Sequence, residues 1–147
     1  MFVLDTCAVS EIAKPVPDPG FWSWFERVEQ KALCVTATTV AELFHGLAKM
    51  PKGKRRDHLT LAVASYLNSL PVLDLTRETG ELAGRILTVQ ESAGRRLQFA
   101  DASIAAVAIH NDAVLVTRDA HFERIAEHDG FEGFRLLDPW SGTAIKA

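Results

Sequence analysis

Phe2-Val3-Leu4-Asp5 is the stretch on which the fold turns: three apolar residues ending on a carboxylate. A short run that is apolar throughout reads as a strand buried on both faces. The acid then marks the point where the chain leaves the core. A short helix follows and is expected to stop before Pro15, with Pro15, Pro17 and Pro19 punctuating a loop. Residues 21–28 read as helix, with Trp22, Phe25 and Val28 on one face. Trp22 and Trp24 are read as packing residues.

Further out the pattern repeats. Residues 33–36 (LCVT) form a second strand, and Thr36, Thr38 or Thr39 caps the next helix, whose apolar stripe is Val40, Leu43, Phe44 and Leu47. Pro51 and Gly53 interrupt it, and another helix runs over about 55–67. Residues 71–75 (PVLDL) are a third strand. Thr76 is expected to act as a simple cap, because position 79, where a capping box wants an acid or amide, is Thr. That helix covers 78–94 and stops at Gly94. A helix over 100–110, a strand over 114–117 and a last strand over 135–137 complete the reading. Strands alternating with helices predict an α/β chain with a parallel sheet flanked by helices. Its 147 residues, 48% of them hydrophobic, fit one domain, 1–147, with a sizeable core.

Composition narrows the function. No run approaches the roughly 18 apolar residues of a membrane span. The N-terminus has no basic leader, so the protein is expected to stay in the cytoplasm, without membrane attachment. Cys7 and Cys34 are too few for a disulfide framework and read as free thiols in or near the core. The net charge of −3 argues against a surface that holds nucleic acid everywhere. One segment departs from it: residues 49–58, KMPKGKRRDH, carry five basic residues against one Asp. Alone that is a solvated helix end. Beside an acidic site it suits a polyanion, with Lys52, Lys54, Arg55 and Arg56 as the candidates to bind it.

Topology gathers the acids. Ligands of an open α/β sheet bind at the carboxyl ends of its strands. Asp5 ends the first strand, and Asp119 lies two residues beyond the fourth. Glu42 lies in the first turns of the helix after the second strand, and Asp101 opens the helix before the fourth. Singly, Glu42 and Asp101 are helix-start acids and Asp119 a turn residue. Together at one edge they repel each other unless a cation joins them, and oxygen donors favour Mg²⁺ or Mn²⁺. Phosphoryl chemistry is the usual use of such a metal. Nucleotide-binding Gly-rich loops, a nucleophile elbow and a zinc-protease motif are absent. The five histidines are scattered and read as surface or boundary residues, with His45 and His121 the two to watch.

The chain resembles the PIN-domain nucleases, and within them the VapC toxins of the FitB-like branch. The matching stretches are FVLDTCAVSE with its Pro-rich sequel, TATTVAELFHGLAKMPKGKRR, AGRRLQFADASIAAVA, VLVTRDAHF and LLDPW. The resemblance implies a PIN-like fold with a parallel five-stranded sheet. It implies a Mg²⁺- or Mn²⁺-dependent endoribonuclease leaving a 5′-phosphate and a 3′-hydroxyl. It makes Asp5, Glu42, Asp101 and Asp119 the catalytic acids, with Asp5, Asp101 and Asp119 on the metal. Thr6 and Thr117 become supporting hydroxyls. It also implies a VapB-type antitoxin, a homodimer, and a larger toxin–antitoxin complex. Two positions depart from the family's pattern: Cys7 stands where Asn is usual, and TRDAHF lacks the later acid of T-R-N-x-x-D-F. The alternative expectation is a PIN-like module used for RNA binding or scaffolding. A dehalogenase-type phosphohydrolase, which wants D-x-D, is disfavoured by Cys7.

Overall fold

The computed structural model describes residues 1–142. Five strands form one parallel sheet: β1 (Phe2–Leu4), β2 (Leu33–Thr36), β3 (Val72–Leu73), β4 (Val114–Val116) and β5 (Arg135–Leu137). Their order is β3-β2-β1-β4-β5. The chain builds outward from β1 in one direction, then restarts at β4 on the other side. Between β1 and β4 lies the topological switch point, where open α/β sheets leave a crevice at the strands' carboxyl ends. Leu4 pairs with Val35 on one side and Val116 on the other, so the three central strands end level.

Side-chain alternation splits the core in two. Val3, Cys34, Leu115 and Leu136 face one layer, packed by α5 (Arg77–Ser92), α6 (Phe99–His110) and α7 (Ala120–Ala126). Leu4, Leu33, Val35, Val116 and Leu137 face the other, packed by α1 (Thr6–Ile12), α2 (Pro19–Phe25), α3 (Ala37–Lys49) and α4 (Lys54–Leu67). The predicted parallel five-stranded α/β fold is therefore the observed one. No described helix is long and apolar enough to cross a membrane.

Several local expectations are corrected. Pro19 does not sit in a loop; it is the first residue of α2, where a missing N–H costs nothing, and Asp18 caps the helix. The helix ends at Phe25, and its buried residue is Phe21, while Trp22 stays 37% exposed. Thr79 does close a capping box: its hydroxyl accepts from the Thr76 N–H at 2.8 Å, doing the work of the missing acid or amide. Strand β3 is only two residues long. Helix α7 was not anticipated, although Asp119 caps it and Phe122 and Ile125 bury its face. On α3, Leu43 and Leu47 are buried but Phe44 is 41% exposed. Thr36 is the residue that caps α3, accepting from Thr39 N–H at 3.0 Å.

One buried acid is structural. Glu11, 2% exposed, accepts from the Lys14 ammonium at 2.7 Å, the Asp18 N–H at 2.7 Å and the Trp140 indole N–H at 3.0 Å. Burial works to raise its pKa, but these three donors outweigh it and hold the carboxyl low. Glu11 thereby ties α1 to the proline-rich loop and to the segment after β5. Gly20 fits closely at that junction, where a Cβ would stand 3.0 Å from the Pro139 carbonyl oxygen.

Candidate active site

Asp5 is the first residue after β1, and 3% of it is exposed. Its Oδ1 accepts from the Ala8 N–H at 2.8 Å, capping α1. Its Oδ2 accepts from the Thr117 hydroxyl and from the Cys7 thiol, whose Sγ lies 2.9 Å away. Burial drives the Asp5 pKa up; the Cys7, Thr117 and Ala8 donors pull it back, and Asp119 adds repulsion. Burial, then the charge of Asp5, pushes the Cys7 thiol up to about 12. Cys7 thus stays protonated and donates, so the thiol does support Asp5 where the family's pattern has a carboxamide.

Thr117 follows β4 and fastens two acids at once. Its hydroxyl donates to Asp5 and accepts the Asp119 N–H at 3.0 Å. Asp119 in turn caps α7, its Oδ1 accepting from the His121 N–H at 2.9 Å. The His121 ring Nδ1 lies 3.0 Å from the same oxygen. On the facing wall, the Thr6 hydroxyl donates to Glu42 Oε2 at 2.7 Å, fixing a side chain from the second turn of α3 against α1. Asp101 stands in the first turn of α6. Burial raises its pKa, with Asp119 and then Glu42 adding like charge and His121 opposing them.

Glu42, Asp101 and Asp119 line one cleft of about 800 Å³, together with His121, Arg96 and Glu91. Asp5 lies behind it, coupled electrostatically to Asp119. The four acids expected from the sequence are thus brought to one edge by four different elements. His121 lines the same cleft. Arg96 was missed, because nothing in the sequence distinguished it from Arg95.

Glu42 and Thr6 also border a second cavity, an apolar groove of about 880 Å³ between α1, α3 and α4. Leu43, Leu47, Met50 and Val63 contribute to its walls, with Lys54, Arg55 and His58 at its α4 side. The four basic candidates therefore divide. Lys54 and Arg55 border this groove. Arg56 turns to the opposite face of α4, beside Asp57, Phe44 and Leu61. Lys52 is exposed on the turn between α3 and α4.

The donor set fits a hard divalent cation. Among the described residues no three His, Cys, Asp or Glu side chains close around a single point. Mg²⁺ does not need such a cage, since it keeps several waters and takes one or two carboxylates. Burial raises the pKa of both Asp5 and Asp101, and like charge adds to it, from Asp119 at Asp5 and from Asp119 and Glu42 at Asp101. A cation is the electrostatic counterpart of that crowding.

Comparison with known proteins agrees with this geometry. Residues 2–128 match the family model described as the PIN domain. The VapC ribonuclease Y4jK of Sinorhizobium fredii is 35% identical over 147 residues, covering 95% of this chain and 98% of that protein. The plasmid stability protein StbB of Pseudomonas syringae pv. tomato is 32% identical over 145 residues, covering 95% and 99%. The crystal structure of FitAcB from Neisseria gonorrhoeae superposes with a TM-score of 0.81 at 26% identity, covering 95% of this chain and 99% of that one.

Proposed function

The chain belongs to the PIN-domain family, and on that premise we propose that it is the ribonuclease toxin of a toxin–antitoxin pair, acting in the cytoplasm. One observation carries the reading: Asp5, Glu42, Asp101 and Asp119 meet at the switch point of the sheet, where hydroxyls from Thr6 and Thr117 hold two of them in place. That is a site for phosphodiester hydrolysis. Water adds to phosphorus, the bond to the 3′ oxygen breaks, and that oxygen leaves with a proton, giving a 5′-phosphate and a 3′-hydroxyl.

Asp101 and Asp119, with Asp5 behind them, are the residues to hold Mg²⁺ or Mn²⁺. The cation supplies polarisation of a phosphate oxygen and a lowered pKa for bound water. Glu42, fixed by Thr6, is placed to accept the attacking water's proton. Thr117 keeps Asp5 and the Asp119 loop in register across adjacent strands. Lys54 and Arg55 contact the RNA backbone, with Lys52 and Arg56 more distant.

The apolar groove beside Glu42 suits an amphipathic helix of a VapB-type antitoxin. An Arg or Lys carried on that segment pairs with the carboxylates and displaces the cation. A homodimer within a larger complex completes the assembly. The test is cleavage of single-stranded RNA by the purified chain with Mn²⁺ or Mg²⁺, against EDTA and against Asp101→Asn. Full cleavage in EDTA sinks the metal reading; cleavage by Asp101→Asn equal to wild type sinks the site.

A further inference from the structure

Among the described residues lining the acid cleft, Arg96 is the one Lys or Arg. The turn that precedes it is held by hydrogen bonds. After α5 the Gly94 N–H donates to the Glu91 carbonyl and the Arg95 N–H to the Gln90 carbonyl, both at 2.9 Å, with Gly94 at φ +71°. Gln90, 2% exposed, donates from its side chain to the Arg124 carbonyl of α7 at 3.2 Å, and Arg95 reaches the same carbonyl at 3.4 Å. The two consecutive arginines therefore divide their work: Arg95 anchors the turn, and Arg96 borders the cleft.

Arg96 is not spent on the acids around it. Among the described residues its guanidinium forms no ion pair within 4 Å, although Glu42, Glu91, Asp101 and Asp119 line the same cleft. A permanently charged fork left open beside carboxylates is matched to an arriving phosphate. Across the site, Glu42 borders both cavities, and the far cavity carries Lys54 and Arg55. Lys14, which also borders it, is committed to Glu11. Free positive charge thus stands at both ends of a path whose middle is acidic.

We propose that Arg96 grips a backbone phosphate on the opposite side of the scissile bond from Lys54 and Arg55, so that one RNA strand crosses the acids under tension of charge from both sides. The proposal rests on the ribonuclease reading above. It assigns Arg96 to positioning substrate and leaves the bond-breaking groups unchanged.

The experiment measures binding of a randomised single-stranded RNA 20-mer pool in EDTA, as log K against log salt, with gels confirming intact RNA. Each phosphate contact to a single strand contributes roughly 0.7 to that slope. Arg96→Ala is expected to lower the slope by roughly that amount. Arg96→Lys keeps it, because the charge remains. Lys54→Ala with Arg55→Ala lowers it separately, and the triple variant loses the sum, at one strand per protomer. An unchanged slope for Arg96→Ala, or a triple variant no lower than the Lys54/Arg55 pair, overturns the proposal. So does binding of two strands per protomer. A companion assay separates this from failure of the underlying reading: a wild-type chain that leaves the same pool uncut with Mg²⁺ and Mn²⁺ defeats the nuclease reading, and this inference with it.

Discussion

The Thr117 hydroxyl donates to the buried Asp5 carboxylate across 112 positions of sequence, joining the ends of two neighbouring strands. Because the same oxygen accepts the Asp119 N–H, it sets the spacing of two acids with one atom. Replacing it with Val leaves both groups short of a partner. Thr117→Val is expected to lower metal affinity or RNA cleavage by about 10- to 100-fold, the usual cost of losing a group that orients a ligand. Thr117→Ser should recover most of it. Metal titration alongside a cleavage assay checks this, and a fully active Val variant refutes it.

The crowding at Asp101 has a pH signature in metal-free protein. Its pKa is raised in the folded state by burial, then by Asp119 and Glu42. A raised carboxyl contributes stability that is present below the ordinary value of 3.8 and lost as pH rises through the folded value. Asp101→Asn removes that loss. In EDTA its Tm should therefore match or exceed wild type at pH 7, with the advantage shrinking towards acid, while growth arrest disappears. Thermal unfolding of both proteins across pH tests the sign; a variant less stable at pH 7 than at acid pH, relative to wild type, contradicts it.

Glu11 is acidic and buried but does not line the acid cleft. Glu11→Ala strips partners from the Asp18 N–H, the Trp140 indole and Lys14. Hydrogen bonds to a charged group are worth about 1.5–3 kcal/mol, and a loss of about that size is expected in denaturant unfolding. The variant should still cleave RNA at temperatures where it stays folded. Lost cleavage with unchanged stability would move Glu11 into the site.

The groove can be filled without disturbing the core. Gly46 of α3 borders it, and a Cβ there meets nothing within 4 Å. Gly46→Leu should hold or raise stability, since Gly costs a helix about 1 kcal/mol relative to Ala. It should also weaken capture of the antitoxin. Co-expression with a cognate VapB-type antitoxin, the partner proposed above, followed by sizing, gives the readout: undiminished complex with this variant places the partner elsewhere.

How much of this was legible in sequence varies by element. Phe2–Asp5 and the run from Val114 read correctly as buried parallel strands, because burial on both faces forces continuous apolar residues. Placing Asp5, Glu42, Asp101 and Asp119 at one edge followed from that, since crossover helices start where strands end. The α7 helix escaped because Asp119 reads as a turn residue after the fourth strand, whereas it is the cap of a helix. The Thr79 capping box escaped because a hydroxyl there does the work of an amide.

By itself the sequence determined the alternation of strands and helices, the edge on which the acids gather, and the family pattern they fill. Only the tertiary structure decided which neighbours serve them. Thr6 meets Glu42 because α1 and α3 cross. Cys7 props Asp5 because the first turn of α1 folds back over the strand end. Arg55 borders the groove while Arg56 faces away, and Arg96 borders the acid cleft while Arg95 is tied to α7. Periodicity gives the face of a residue relative to its own element. Which cavity that face meets depends on how elements pack across the sheet, and that is set by long-range contacts that leave no local trace in the chain.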